Sequence, residues 1–401
     1  MTKIVLVENV HQVAIDLLKK RGFNDITLIK DSPKEDDLIK IMETADVIGI
    51  RTRTKLTKEV LKHAKNIMAV CTACIGTDQI DLNFARDMGI PCFNAPFGNT
   101  RSVAELTIGE MLMLAREIPD KDAKAKKGIW DKSLGECFEV KGKTLGIIGY
   151  GHIGSQVGVL AEALSMNVIY YDVEKKQSFG KATPVTTLEE LLKNSDIVTI
   201  HVPNLPSTYD MIGKKEFALM KKNGIFINNA RGNVVDFDAL CEALDNKMLM
   251  GVACDAYKKE PKNKDEELET PLRKYNNVII TPHIGGMTAE AQVAMALDMA
   301  EKMANYLQYG STEGAVNFPQ VSLGQKGIDT VRILHIHENI AGVMKDINHI
   351  FGKYNVNVDK QYLDTYKDIG FVASDIRKDE FKDEIINELK KVKTTKRVAV
   401  I

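Results

Sequence analysis

Short apolar runs that alternate with helix-length amphipathic segments are the feature that most restricts how this chain can fold. Nine such runs occur, three before residue 94 and six after residue 142, from "KIVLVE" near the start to "NVIITPH" at residues 277–283. Apolar runs separated by helical patterns are typical of buried parallel strands that are covered by helices on both faces. The pattern predicts an α/β fold with two parallel-sheet domains.

The C-terminal part of the chain has a different order of elements. Four strand-like runs, "VRILHIH", "VNVDKQYL", "GFVASDI" and "KRVAVI", enclose two helical patterns in the order β-α-β-β-α-β. This order is that of a ferredoxin-like domain. The preceding "NFPQVSLGQKG" contains Pro and Gly without periodicity, which indicates a linker. We expect the linker at residues 319–326 and the small domain at residues 327–401.

Composition and charge exclude several classes of protein. The net charge of −1 gives no global field that would attract a nucleic acid or a membrane surface. No apolar run approaches the roughly 20 residues that span a bilayer, and the N-terminus lacks a signal-peptide pattern. Six cysteines in 401 residues indicate a reducing, cytoplasmic setting. The Cys71-x-x-Cys74 motif has no second pair at zinc-like spacing, so we predict no metal site.

A glycine-rich loop indicates a dinucleotide site. Gly149, Gly151 and Gly154 lie directly after a predicted strand and before a predicted helix, and Asp172 follows 18 residues beyond Gly154 at the end of the next strand. Such glycines let the backbone approach a pyrophosphate at a helix N-terminus, and the acid accepts hydrogen bonds from the ribose. An aspartate there repels a 2′-phosphate and favours NAD over NADP. An ordinary strand–turn–helix is the alternative.

Three polar residues follow predicted strands in the same part of the chain. Arg231 follows "GIFINNA", Glu260 closes "CDAYKKE", and His283 follows "NVIITP". Open α/β sheets place their sites at these strand ends. A guanidinium that binds a carboxylate, an imidazole that exchanges a hydroxyl proton and an acid that raises the imidazole pKa suit oxidation of a 2-hydroxy acid. For His283 alone, a structural histidine and a metal ligand are the alternatives.

Five ordered motifs extend this interpretation. "GIIGYGHIG", "HVPNLPSTYDMI", "NNARGNVVD", "CDAYKKEP" and "TPHIGG" together resemble the D-2-hydroxyacid dehydrogenase family, whose catalytic Arg–Glu–His set falls on the three residues above. The resemblance implies a discontinuous substrate-binding domain, residues 1–97 and 286–318, and an NAD-binding Rossmann domain at residues 98–285. It implies further cofactor contacts from His152, Ile153, Asn229, Ala230, Arg231, Asp255, His283, Ile284, Gly285 and Gly286.

The segment "RTRT" indicates whether the substrate carries a phosphate group. Arg51 and Arg53 suit a phosphate, although composition alone slightly favours a solvated charged turn. Together with "FNAPFGNTRSVAE" and "GIWDKSLGECFEVKGK", it resembles the branch of the family that oxidises 3-phosphoglycerate. Met287 departs from the family pattern, and we have no physical account of it. The likeness implies substrate contacts from Arg51, Thr52, Arg53, Asn99, Lys132 and Gln292, with Lys30 as a basic neighbour.

The C-terminal domain resembles the ACT domain of the serine-inhibited members of that branch. There the inhibitor lies between the ACT domains of two subunits, and the matching positions here are His337, Asn339 and Asn357. Polar residues at solvated strand ends are the alternative. Ile340 and Ala341 replace the usual Arg-Pro, and without that proline the loop is expected to be looser.

These inferences combine into one expected function. The chain is expected to oxidise D-3-phosphoglycerate with NAD in the first step of L-serine biosynthesis, as a homo-oligomer (dimer or tetramer) that L-serine inhibits. One alternative is a dehydrogenase of another D-2-hydroxy acid, such as glycerate, lactate or 2-hydroxyglutarate. Another is a corepressor-like protein that senses NADH without catalysis.

Overall fold

The computed structural model describes residues 2–261 and 265–401, which form two compact units. Of these residues, one unit contains 2–98 and 292–401, and the other contains 99–261 and 265–291. The first therefore includes both the segment expected to bind substrate and the C-terminal domain. The boundaries expected from the sequence at residues 97/98 and 285/286 stay predictions.

The first unit contains a five-stranded parallel sheet. Its order is β2-β1-β3-β4-β5, and the apolar residues of β1, β3 and β4 are buried, as expected for strands covered on both faces. Helix α1 is amphipathic and buries Ala14, Ile15 and Leu18. The elements are β1 (Ile4–Leu6), α1 (Gln12–Lys20), β2 (Ile26–Leu28), α2 (Glu35–Thr44), β3 (Val47–Ile50), α3 (Lys58–Leu61), β4 (Ala69–Thr72), α4 (Leu82–Asp87) and β5 (Cys92–Phe93).

The second unit begins with helices that the sequence pattern joined into one. The periodicity predicts a single helical segment over residues 100–127, whereas the structure has α5 (Thr100–Ala115) and α6 (Ile118–Lys126). Glu117 between them has a left-handed φ of 50°. Pro119 in the first turn of α6 has no N–H to donate, which is tolerated only at the start of a helix. The break therefore follows from the proline.

The second unit also contains a seven-stranded parallel sheet. Its order is β12-β11-β10-β9-β6-β7-β8, so the carboxyl ends of β6, β10, β11 and β12 lie along one edge. The elements are β6 (Thr144–Ile148), α7 (His152–Ala163), β7 (Asn167–Tyr171), β8 (Thr183–Pro184), α8 (Leu188–Asn194), β9 (Ile197–Ile200), α9 (Lys214–Leu219), β10 (Gly224–Asn228), α10 (Phe237–Asp245), β11 (Leu249–Cys254) and β12 (Val278–Ile280).

The C-terminal elements form a third sheet, which is antiparallel and belongs to the first unit. After the long helix α11 (Ala289–Tyr309), its order is β14-β15-β13-β16, which confirms the ferredoxin-like arrangement. One face packs against α12 and α13, and the other face shares a core with β1 and α11 through Leu334, Ile336 and Phe371. The elements are β13 (Thr330–Glu338), α12 (Val343–Lys353), β14 (Val358–Tyr366), β15 (Ile369–Arg377), α13 (Asp383–Lys391) and β16 (Thr395–Val400).

The segment between α11 and β13 has no helix or strand, and several of its residues are buried. Phe318 and Leu323 lie in the core that the C-terminal sheet shares with the parallel sheet.

Over the described residues, the structure contains no helix that is long and apolar enough to cross a membrane.

Candidate active site

The glycine-rich loop after β6 leaves space for an anion at the start of α7. A Cβ at Gly149 would lie 2.6 Å from the carbonyl oxygen of His201, and one at Gly154 would lie 2.2 Å from that of Gly149. Both positions therefore require glycine. A Cβ at Gly151 would meet nothing within 4 Å, and α7 begins there without a side-chain cap. Backbone N–H groups at such a helix start suit the pyrophosphate of a dinucleotide.

The acid predicted to contact the ribose is fixed beside this loop. One oxygen of Asp172 accepts from the backbone N–H of Tyr150 at 2.8 Å, and the other accepts from that of Glu174 at 2.9 Å. The nearby Lys176 is paired with Glu174. Asp172 thus stands at the end of β7 as an anion, which fits NAD better than its 2′-phosphorylated form.

The imidazole of His283 and the carboxylate of Glu260 form a pair. The Nδ1 atom of His283 lies 2.9 Å from each oxygen of Glu260. This hydrogen bond raises the pKa of His283 above its usual 6.5; burial opposes the rise, and the charges of Glu260 and Asp255 add to it. Burial alone would raise the pKa of Glu260, but the hydrogen bond and charge of His283 lower it overall. Over residues 2–261 and 265–401, no group of three His, Cys, Asp or Glu could hold a metal ion.

The turn that carries His283 is held in an unfavourable backbone conformation by Asp255. The φ of His283 is 55°, in the left-handed region, which costs an L-residue about 1–2 kcal/mol. The carboxylate of Asp255 accepts from the N–H of Ile284 and of Gly285, each at 2.7 Å, and from the hydroxyl of Thr281 at 2.6 Å. Because Asp255 is 1% exposed, these bonds are shielded from water and offset the strain.

Arg231 follows β10 in a turn that is also tightly fixed. The Asn228 side chain accepts from the N–H of Ala230 at 3.1 Å and donates to the carbonyl of Arg231 at 3.0 Å. A Cβ at Gly232 would lie 1.9 Å from the backbone of Tyr257, so only glycine allows this close approach. The positive charge of Arg231 opposes the rise in the pKa of His283 and contributes to the lowered pKa of Glu260, so the guanidinium is near enough to this pair to act on both charges.

Tyr257 is part of this arrangement and was missed in the sequence. Its hydroxyl lies within hydrogen-bonding distance of the carbonyls of Cys254, at 2.8 Å, and Thr281, at 2.9 Å, which joins the ends of β11 and β12. Its backbone N–H donates to Glu260 at 3.2 Å. The aromatic residue two positions after Asp255 was the available signal.

The first unit presents a separate cluster around Arg51. Its guanidinium donates to the side-chain oxygen of Gln292, which brings together two predicted substrate residues that are distant in sequence. The carboxylate of Glu8 accepts from the backbone N–H groups of Arg51 at 3.2 Å, Arg53 at 2.9 Å and Thr54 at 2.8 Å. Glu8 is 2% exposed and was not predicted to have a role. The available signal was a carboxylic acid at the end of the apolar run "KIVLVE".

The remaining predicted substrate residues are divided between the two units. Thr52 and Arg53 are exposed in the same loop as Arg51, and Lys30 is exposed after β2. Asn99 and Lys132 belong to the second unit. Lys132 is exposed, whereas a Cβ at Gly286 would lie 2.8 Å from the Asn99 side chain, so Asn99 packs against the turn after His283.

The three residues predicted to bind serine lie at opposite ends of the C-terminal sheet. His337 is opposite Gly370 of β15 and is buried, and Asn339 follows it. Asn357 precedes Val358, which pairs with Ile376 at the other end of β15. Six residues of strand separate the two ends, roughly 20 Å at about 3.3 Å per residue. A single chain therefore does not bring them together.

Comparisons with known proteins agree with this geometry. Residues 108–285 match the family described as "D-isomer specific 2-hydroxyacid dehydrogenase, NAD binding domain", and residues 333–397 match an "AHAS small subunit-like ACT domain". D-3-phosphoglycerate dehydrogenase of Escherichia coli (strain K12) is 48% identical over 378 residues, covering 94% of this chain and 92% of its own length. D-3-phosphoglycerate dehydrogenase of Haemophilus influenzae is 46% identical over 399 residues, covering 100% and 97%.

Solved structures resemble about three quarters of the chain. A D-lactate dehydrogenase from Aquifex aeolicus, complexed with NAD and lactic acid, matches with a TM-score of 0.66 and 28% identity over 76% of this chain and 95% of its own. Fold and site thus define an NAD-dependent oxidoreductase. The chain belongs to the D-isomer-specific 2-hydroxyacid dehydrogenase family and carries an ACT domain.

Proposed function

We propose that this protein oxidises D-3-phosphoglycerate to 3-phosphohydroxypyruvate with NAD, the first step of L-serine biosynthesis, in the cytoplasm. The observation that carries the proposal is 46–48% identity to D-3-phosphoglycerate dehydrogenases over 94–100% of the chain, ACT domain included. Two features of the structure support it: the Arg51 cluster offers positive charge to a phosphate, and all six cysteines are free thiols, as in a reducing compartment.

The second unit contains the residues that would hold NAD. The loop from Gly149 to Gly154 would bind the pyrophosphate and Asp172 the ribose, since the first leaves space at a helix N-terminus and the second is a fixed carboxylate. When bound, NAD accepts the hydride from C2 of the substrate. The other proposed cofactor contacts are His152, Ile153, Asn229, Ala230, Asp255, Ile284, Gly285 and Gly286.

His283 would act as the general base. Its Nδ1 faces Glu260, which leaves Nε2 to accept the proton of the C2 hydroxyl. The carboxylate of Glu260 keeps the proton on Nδ1 and stabilises the imidazolium that forms when Nε2 takes the second proton. In the reverse direction the same nitrogen returns the proton to the carbonyl oxygen.

Two arginines would bind the two anionic ends of the substrate. The planar guanidinium of Arg231 suits the C1 carboxylate, which it can bind through two parallel hydrogen bonds. Arg51, together with Thr52, Arg53 and Gln292, suits the phosphate. Asn99 and Lys132 are proposed as further substrate contacts in the second unit.

The test is NADH formation from D-3-phosphoglycerate, compared with D-glycerate, D-lactate and D-2-hydroxyglutarate. An Arg51→Ala variant is expected to raise KM for the phosphorylated substrate about 10- to 100-fold, since a charge-assisted hydrogen bond contributes about 1.5–3 kcal/mol. Lys55→Ala, at an exposed lysine of the same loop, is the matched control. Equal loss with D-lactate would favour a non-phosphorylated substrate, and NADH binding without any turnover would favour a sensing protein.

We further propose that the protein is a homo-oligomer whose ACT domains bind L-serine between two copies. Strand β14 is an edge of its sheet and exposes Tyr362 and Leu363. Antiparallel pairing of β14 with β14 of a second copy would place Asn357 of that copy beside the end that carries His337 and Asn339. The nucleotide domain exposes Ile129, Trp130 and Leu134, an apolar surface suited to a second contact.

Millimolar L-serine is expected to lower turnover, and Asn357→Ala is expected to weaken this inhibition at least tenfold without changing uninhibited kcat. Asn348→Ala on the exposed face of α12 is the control. The molar mass from light scattering, with and without L-serine, reports the oligomer. A monomer, or inhibition that Asn357→Ala leaves intact, would contradict a site formed by two copies.

A further inference from the structure

One buried acid in the second unit has no part in the mechanism above. Glu110 lies in the middle of α5 and is 3% exposed. Its Oε2 accepts a hydrogen bond of 2.7 Å from the side-chain amide of Asn229, the first residue after β10. The same amide donates to the hydroxyl of Thr107 at 3.1 Å, and both hydrogens of the amide are thereby used.

Helix α5 also contacts the turn that carries His283. The hydroxyl of Ser102 donates to the carbonyl of Gly285 at 2.5 Å. One helix therefore holds both the turn before Arg231, through Glu110, and the turn after His283, through Ser102. The buried position of Glu110 is costly for a carboxyl group, and an apolar residue would fill it at lower cost if packing were the sole requirement.

We infer that Glu110 is a positioning residue of the dehydrogenase, which holds Asn229 and thereby sets the orientation of the Ala230–Arg231 turn. The inference rests on the proposed function, because it assigns Arg231 to the substrate carboxylate. Asn228 fixes the backbone of this turn from within, at Ala230 and Arg231. Glu110 fixes it from outside, and without it the amide of Asn229 would lose its shortest hydrogen bond.

The unpaired atoms of this contact indicate that Glu110 can also hold Asn229 when its carboxyl group is protonated. Within the described residues, Oε1 of Glu110 and Oδ1 of Asn229 are both buried without a hydrogen-bond partner. A protonated Glu110 supplies an O–H donor, and the Asn229 oxygen is an acceptor. Burial raises the pKa of Glu110 to about 7, although the hydrogen bond from Asn229 opposes the rise. The titratable groups of the described chain that face it are Cys254, Asp255 and Tyr257, at the end of β11.

Glu110→Leu and Glu110→Gln separate hydrogen bonding from packing. Glu110→Leu is expected to lower kcat/KM for the hydroxy acid at least tenfold, whereas Glu110→Gln, whose amide can both accept and donate, should stay within threefold of the wild type. The KM of the wild type is expected to change with pH near 7 as Glu110 titrates, and Glu110→Gln should lack this change. Glu105→Leu, on the exposed face of α5, is the matched control.

Hydrogen–deuterium exchange of the cofactor-free protein gives a readout that does not depend on turnover. Exchange over residues 229–232 should be faster in Glu110→Leu and unchanged in Glu110→Gln. If Glu110→Leu does not fold, the pH profile of Glu110→Gln still decides the matter. A wild type that oxidises no hydroxy acid overturns the proposed function. An active wild type with unchanged Glu110→Leu kinetics, or with a Glu110→Gln pH profile like its own, overturns the positioning role.

Discussion

Replacement of His283 by asparagine is expected to lower kcat for hydroxy-acid oxidation about 10²- to 10⁴-fold, the usual contribution of a positioned general base. Asparagine is the appropriate substitute because it tolerates the left-handed φ of 55° at this position better than other non-glycine residues. The hydrogen bonds from Ile284 and Gly285 to Asp255 should therefore persist. NAD affinity is expected to fall far less than kcat, because the main loss concerns proton transfer.

The pH dependence of the wild type provides the second part of this prediction. His283 must be neutral at Nε2 to accept the substrate proton, so oxidation should increase with pH as the imidazolium deprotonates. Because the hydrogen bond with Glu260 raises the pKa of His283, this increase should occur above the 6.5 of an unperturbed histidine. The reverse reaction, which needs the proton, should decline over the same pH range.

Stopped-flow measurement of NADH formation between pH 5.5 and 9.5 tests both parts. The asparagine variant should lose the pH-dependent limb as well as the rate. His349→Asn, at an exposed histidine of α12, should retain both. A His283→Asn variant with wild-type kcat would show that another group accepts the proton.

The sequence predicted the residues of this site better than the contacts that hold them. Arg231, Glu260 and His283 were predicted because each is a polar residue that follows a predicted strand within a few residues, and parallel strands bring such positions to one edge. The roles of Glu8 and Tyr257 could not be predicted, although both residues stand out in the sequence, because these roles depend on backbone groups that become neighbours through folding. Glu8 accepts from the loop at residues 51–54, and the hydroxyl of Tyr257 faces carbonyls on two strands.

For the C-terminal domain, the sequence likewise predicted the order of elements but not how the domain packs against the rest of the first unit. Its β-α-β-β-α-β order follows from local patterns and is confirmed. In the structure both faces of the strand formed by "VRILHIH" are buried, one against α12 and α13 and the second in the core shared with the parallel sheet. That second face covers β1 and α11, contacts between elements more than 20 residues apart in the chain, for which local periodicity contains no signal.

Arg332 lies on this strand, and its removal is expected to destabilise the first unit by about 3–5 kcal/mol. Its guanidinium donates to both oxygens of Asp375, from Nε at 2.6 Å and from an Nη at 2.8 Å, and both side chains are at most 4% exposed. Its other Nη donates to the carbonyls of Tyr309 at 2.7 Å and Gly324 at 3.0 Å. Arg332→Met would leave a buried carboxylate without its partner, which is the costly half of a buried ion pair.

Arg332→Met combined with Asp375→Leu separates the charge from the other hydrogen bonds. The double variant removes the unpaired carboxylate and should recover at least half of the lost free energy of unfolding, as measured by guanidinium titration. Full recovery is not expected, because the carbonyls of Tyr309 and Gly324 still lose their donor, and these two bonds attach the end of α11 and the following segment to the ACT sheet.

Arg377→Met, at the exposed end of β15, is the control and should change the free energy of unfolding by less than about 0.5 kcal/mol. If Arg332→Met unfolded at the wild-type denaturant concentration, neither the ion pair nor the two carbonyl bonds would stabilise the first unit. If the double variant were as unstable as the single one, the two carbonyl bonds alone would account for the loss.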